Sequence, residues 1–232
     1  MPGPAGRRPR LNRDRVLHAA VALADEVGLE ALSMRRLAAE LDVVPMALYK
    51  HVADKEALLD GMVDVVVGEI EPPALGVEWR DAVRGRVLSA RRALLRHPWA
   101  RRALETRTTR TAAVLDQMDA TAAAFLAGGF SAELTHHVMH ALGSRMWGFT
   151  QELFDDPAAQ GPAAPPDPAT MRAMAERYPH IAAIALTTTH EDGTVVGRGC
   201  DDQAEFEFAL DLMLDGFARL HEQGWRPPQP AV

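Results

Sequence analysis

Cysteine is nearly absent. Cys200 stands alone in 232 residues, which excludes an internal disulfide framework and sets the expectation of a reducing, cytoplasmic environment. Lysine is almost as scarce, with Lys50 and Lys55 the only two. No apolar run approaches the length needed to span a bilayer, so no membrane partner is expected. The N-terminus, MPGPAGRRPRLNRDR, lacks the apolar centre of a secretion signal. A Gly-rich phosphate loop, an HExxH pair and a serine nucleophile elbow are all missing, and Cys200 has no local reactive signature. Catalytic residues and a cofactor are therefore not expected. Internal repeats are absent, and 194–196 is too short to count as a strand. What the chain does have is 47% hydrophobic content at helical spacing, enough for one large helical domain or a small one plus a larger one.

The densest information lies in residues 33–55, SMRRLAAELDVVPMALYKHVADK. Ser33 is placed to cap a helix by accepting from a freed backbone N–H, and Leu37, Ala38 and Leu41 then share one face. Asp42, Val43 and Val44 form a break. Pro45 suits a first helical position, where its missing N–H costs nothing and its φ is already helical. A second helix over 45–52 turns Leu48 and Val52 inward and leaves Met46, Ala47, Tyr49, Lys50 and His51 outward. Two short helices at a tight turn, the second with a basic, aromatic and small outer face, are the outline of a DNA-binding helix-turn-helix.

At these residues the chain resembles the TetR family of bacterial transcriptional regulators. The pattern LxxLAxxLxVxxxxLYxHVxxKxxLL runs in slightly varied form from Leu32 through Leu59. One departure is Asp42, where the family commonly has Gly; Asp tolerates the left-handed conformation better than most residues. The resemblance implies that Arg35, Tyr49, His51 and Lys55 contact phosphates or hold the helix against them. By the same resemblance, Pro45, Met46, Ala47 and Lys50 lie nearest the bases of a double-stranded operator.

The formal charge of −7 argues superficially against nucleic acid, but the charge is unevenly spread. Residues 1–15 carry Arg7, Arg8, Arg10, Arg13 and Arg15 against Asp14 alone, and both lysines lie in or beside the proposed recognition helix. An acidic body with a basic tip suits a DNA-binding end. The expected fold is all-α: a flexible basic arm (1–11), a three-helix head (12–53), a connector helix (54–72) and a larger helical domain (73–232). Asn12 caps the first helix, over 13–27, with Val16, Ala19, Ala20, Leu23 and Val27 as its apolar stripe and Gly28 as its stop. Asp54 caps the connector, which continues to Ile70. Further helices are expected over 79–96, 100–105, 110–127, 131–154, 169–186 and 204–223. Segments 155–168 and 187–202, rich in Pro, Ala or Gly, read as loose connections.

From Trp79 onward the chain also resembles the ligand-binding and dimerisation domain of the tetracycline-repressor branch, through WRD, RALLRHPWA, FLAGGFS and FEFALDLMLDGFARL. That resemblance implies a homodimer built on a four-helix bundle of 131–154 and 204–223 from each subunit. Leu134, Val138, Leu142, Phe149 and Leu153 form one stripe. Ala141, Ser144 and Gly148 form a strip of small residues, and Phe206, Leu210, Met213, Phe217 and Leu220 repeat at spacings of four and three. A pocket for a small, mostly apolar effector is expected among Met62, Val66, Val83, Val87, Leu104, Leu115, Met118, Met139, Met146 and Trp147. Tetracycline itself is disfavoured: on this resemblance Leu104 occupies the position of a metal-binding histidine, and Arg86 and Ala90 replace drug-contacting types. His136 and His140, spaced i, i+4 beside His137 and one turn after Glu133, could begin a metal site, but spacing indicates no further ligand. The competing reading is a helical ligand- or metal-binding protein with no DNA-binding role.

Overall fold

A computed structural model describes residues 10–73, 76–148, 167–185 and 202–227, without the side chains of 144–148, 185 and 202. Among the described residues there are eleven α-helices and no strand. They are α1 (Arg13–Val27), α2 (Met34–Glu40), α3 (Pro45–Leu48), α4 (Lys55–Gly68), α5 (Trp79–Arg96), α6 (Pro98–Thr106), α7 (Ala112–Ala127), α8 (Ala132–Gly148), α9 (Pro168–Arg177), α10 (Pro179–Ala185) and α11 (Asp202–Glu222). They fall into two compact units, one within Met1–Thr150 and Gly216–Val232 and the other within Gln151–Asp215.

Side-chain caps start α1, α2 and α4. Asn12 Oδ1 accepts from the Arg15 N–H at 2.8 Å, Ser33 Oγ from Arg36 at 3.2 Å and Asp54 Oδ1 from Ala57 at 2.7 Å, each satisfying a donor the helix cannot. Gly28 ends α1 at φ 78°, a conformation open to glycine. Asp42 carries φ 54°, so the turn between α2 and α3 keeps its left-handed residue without glycine. The second helix of the motif is shorter than the expected 45–52. Regular α3 ends at Leu48, and a hydrogen-bonded turn from the Leu48 carbonyl to the N–H groups of His51 and Val52 completes the segment.

The head and the first helices of the larger domain share one continuous core. Val16, Leu17, Ala20, Leu37, Leu48, Val52, Leu58 and Met62 are buried in the same cluster as Ala90, Leu94, Trp99 and Ala103. The first helix therefore buries Leu17, Val21 and Ala24 as well as much of the expected stripe. Gly61 allows α1 and α4 to approach closely, since a Cβ there would lie 2.6 Å from Leu17 Cδ2. A second cluster joins Trp79, Phe125, Phe130 and Phe217, with His221 stacked on Phe130 at 4.4 Å between centroids.

Three expectations need correction. The helix expected over 169–186 is two helices, α9 and α10, because Pro179 has no N–H for the helical ladder and its ring opposes helical conformation at Tyr178, which sits at φ −129°, ψ 62°. In α11, Phe206, Leu210 and Phe217 are buried within the chain rather than left for a partner helix. Phe208 and Leu212 are the exposed apolar side chains there, at 63% and 56% exposure. In α8, Leu134, Val138 and Leu142 are likewise buried within the chain, while Ala141 is exposed. Phe149, Leu153, the side chains of Ser144, Met146 and Trp147, Cys200, Arg7, Arg8, most of 155–168 and all of 187–202 but Asp202 lie outside the described residues.

Candidate DNA-binding head and effector cavity

The inner and outer faces of the α3 segment are sharply divided. Leu48 and Val52 are 0% and 3% exposed, anchoring it on α2 and the head core, whereas Met46 is 70% and Tyr49 43% exposed. Pro45 and Lys50 are also exposed, Ala47 and His51 are half-buried, and Arg35 on α2 and Lys55 at the start of α4 are exposed. Aliphatic, aromatic and cationic side chains thus stand on a helix pinned from behind, the arrangement a major groove can accept.

A cavity of about 980 Å³ lies behind this head, walled by α4, α5, α6, α7 and α8. Of the expected lining residues, Leu104, Leu115, Met118 and Met139 are in its wall. Met62, Val66, Val83 and Val87 are not among its lining residues: they are at most 2% exposed and fill the core. Periodicity marks these residues as inward-facing, but whether an inward face meets other side chains or a void depends on how neighbouring helices are spaced. From α4 and the residues just after it the cavity takes Val63 and Ile70 instead, and it also takes His136 and His140. Those two rings lie 4.7 Å apart between centroids. Among the described residues no group of three or more potential metal ligands is assembled.

The expected lining was apolar, and Arg86, which the resemblance sets at a drug-contacting position, gives the cavity a polar wall as well. Arg86 is only 4% exposed. Its Nε donates to Thr121 Oγ1 at 3.2 Å, and its Nη2 donates to the Gln117 carbonyl at 3.1 Å and to Gln117 Oε1. Gln117 in turn donates from Nε2 to the Val67 carbonyl of α4 at 3.4 Å, and Thr121 donates back to the Gln117 carbonyl at 2.8 Å. Burial holds the Arg86 pKa below the ordinary guanidinium value. The sequence signal was available: Val83, Arg86, Val87 and Ala90 follow i, i+3, i+4, i+7, so the arginine interrupts an inward face.

A polar clamp joins the head to the α5–α6 junction. His97, only 8% exposed, bonds Asp25 of α1 through Nδ1 at 2.8 Å and Glu69 at the end of α4 through Nε2 at 3.1 Å. Trp99 Nε1 donates to the same Asp25 carboxylate at 2.6 Å. Burial raises the Glu69 carboxyl, but hydrogen bonds from Arg96 and His97 and the charges behind them outweigh it and hold the group below its ordinary value. Arg107, between α6 and α7, pairs with Glu56 at 2.6 Å and Asp60 at 3.2 Å near the start of α4.

A pinned, exposed second helix in a capped three-helix head, followed by a helical body with a cavity, defines a helix-turn-helix transcription regulator. Residues 16–62 match the family described as bacterial regulatory proteins, tetR family, and residues 72–220 match the tetracyclin repressor-like C-terminal domain. The chain belongs to the TetR family of regulators and is not an enzyme. It is similar to an HTH-type transcriptional regulator of Saccharopolyspora erythraea, at 39% identity covering 91% of this chain and 86% of that one. Among solved structures it is similar to a possible TetR family transcriptional regulator from Streptomyces coelicolor A3(2), at 29% identity and TM-score 0.68, covering 90% of this chain and 100% of that one. It is also similar to the Streptomyces coelicolor TetR family protein ActR in complex with actinorhodin, at 25% identity and TM-score 0.71, covering 94% of this chain and 100% of that one. No helix among the described residues is long and apolar enough to cross a membrane.

Proposed function

We propose that the protein is a cytoplasmic, homodimeric repressor that places two copies of the 45–52 segment in successive major grooves of a roughly palindromic operator. A small, mostly apolar effector in the cavity releases it. The observation that carries this reading is the double role of α4. Its Gly61 face packs against α1 of the head, while its Val63 and, just past its end, Ile70 line the cavity and its Val67 carbonyl accepts from Gln117 of the cavity wall. A ligand that moves α4 therefore moves the head, provided it favours one head spacing over the other by differential free energy. The cavity volume suits a small molecule. Arg35, Tyr49, His51 and Lys55 are assigned to phosphate contacts, and Pro45, Met46, Ala47 and Lys50 to the base edges. Leu104, Leu115, Met118 and Met139 are assigned to the effector.

Dimerisation through α8 and α11 follows the family, and the exposed Phe208 and Leu212, one turn apart, supply apolar surface for it. The test is operator selection from random duplexes followed by gel shifts. Tyr49→Ala and Lys55→Ala should each weaken binding about tenfold while the thermal melt is retained, and Lys55→Ala should flatten the salt dependence by about one charge. Wild-type affinity in both variants at moderate salt would remove the head from the contact.

A further inference from the structure

We propose that the effector cavity is built for an anion: its ligand is an apolar molecule carrying one anionic oxygen group, which docks on the guanidinium of Arg86. This rests on the reading of the cavity as an effector site and adds the chemical class of the ligand. Arg86 is 4% exposed, yet among the described residues its hydrogen-bond partners are all neutral: the Thr121 hydroxyl and the carbonyl and amide oxygens of Gln117. A guanidinium buried without a carboxylate bears a desolvation cost that neutral acceptors offset only in part. Its Nε and Nη2 are engaged, which leaves the two N–H donors of Nη1. A carboxylate, an ionised phenol or a sulfonate fits such donors, and charge-assisted bonds of this kind are about twice as strong as neutral ones.

The rest of the wall agrees. In a chain of net charge −7, the described residues lining the cavity include four arginines against two carboxylates. Arg101 is neutralised by Glu105 at 3.0 Å and Arg107 by Glu56 and Asp60, and neither lining carboxylate, Glu105 or the exposed Asp119, bonds Arg86. Two polar atoms of other lining residues, Thr135 Oγ1 and Arg107 Nε, are buried without a hydrogen-bond partner among the described residues. Leu104, Leu115, Met118 and Met139 supply the apolar remainder. The Arg86–Gln117–Val67 chain of hydrogen bonds also ends on the backbone of α4, so an anion drawing on Arg86 acts on the helix that carries the head.

Two fluorescent probes of one skeleton test this: anilinonaphthalene sulfonate, an anion, and phenylnaphthylamine, which lacks the sulfonate. Both are titrated into the purified full chain, with thermal melts confirming the fold. Wild type should bind the sulfonate roughly 10- to 100-fold more tightly than the neutral probe, the range expected of a desolvated charge-assisted contact. Arg86→Met should bring the two constants together. Thr121→Val, which removes the acceptor that orients Nε, should narrow the gap severalfold and carries the test if Arg86→Met does not fold. Equal binding of both probes by wild type, or a preference that survives in Arg86→Met, overturns the anion proposal while leaving the cavity as an effector site. Saturable binding of neither probe overturns both.

Discussion

Asp25 is the most informative single residue to remove, because its carboxylate ties α1 of the head to His97 and Trp99 at the α5–α6 junction. It accepts from His97 at 2.8 and 3.0 Å and from Trp99 Nε1 at 2.6 Å. Bonds to a charged acceptor contribute roughly 1.5–3 kcal/mol each, and a buried donor left without a partner costs roughly 1–3 kcal/mol. His97 and Trp99 are both at most 8% exposed, so their orphaned donors cannot turn freely to water. The Asp25 side chain itself is 31% exposed, which screens its share and puts Asp25→Ala in the lower part of the sum, about 2–4 kcal/mol. Against a typical total of roughly 5–15 kcal/mol this is a large loss. Urea denaturation followed by tryptophan fluorescence measures it, and a double-mutant cycle with His97→Ala should return a coupling of about 1–3 kcal/mol. The clamp also links head and body, so the same variant should shrink the ratio of operator affinities measured without and with effector. A change in stability below about 0.5 kcal/mol, with no coupling in the cycle, would refute the clamp.

Glu69 gives the clamp a pH dependence of fixed sign: its folded pKa is depressed, so its contribution is complete above the ordinary glutamate value of 4.5 and is lost as pH falls through the folded value. Urea midpoints between about pH 6 and about pH 3 should fall less steeply in Glu69→Gln than in wild type, and parallel curves would contradict this. Phe208→Asp should yield a folded monomer by sedimentation, whereas Leu210→Asp, which buries a charge at a 0% exposed site, should lower the melting temperature sharply; a dimeric Phe208→Asp would move the interface elsewhere. Met118→Trp adds bulk to the cavity wall and should raise the effector concentration needed for operator release at least about tenfold, so an unchanged dose response would place the ligand away from α7.

The parts of this protein written in its sequence are those governed by neighbours along the chain. Ser33, Asp54 and Asn12 cap helices three residues ahead, Pro45 opens α3, and Asp42 takes the left-handed turn, all through contacts that a short peptide already contains. The inward and outward faces of the α3 segment follow from helical period, so Leu48 and Val52 against Met46 and Tyr49 are legible in the sequence. Pro179 is a local signal too, since a proline at that position ends one helix and opens the next.

Tertiary structure decided everything that depends on what stands opposite an inward face. Met62, Val66, Val83 and Val87 share their pattern with cavity residues, yet only the spacing of α4 to α8 makes one set core and the other wall. The same holds for α11, where apolar residues occur on two faces and packing within the chain takes Phe206, Leu210 and Phe217 but leaves Phe208 and Leu212 outside. The clamp brings Asp25 and His97 together across 72 positions, and Arg86 meets Gln117 across 31. Periodicity says which way a side chain points; it carries no information about the partner it meets, because hydrophobic burial is non-directional and any apolar neighbour satisfies it equally, while a buried charge acquires meaning only from the groups the fold brings within hydrogen-bond reach.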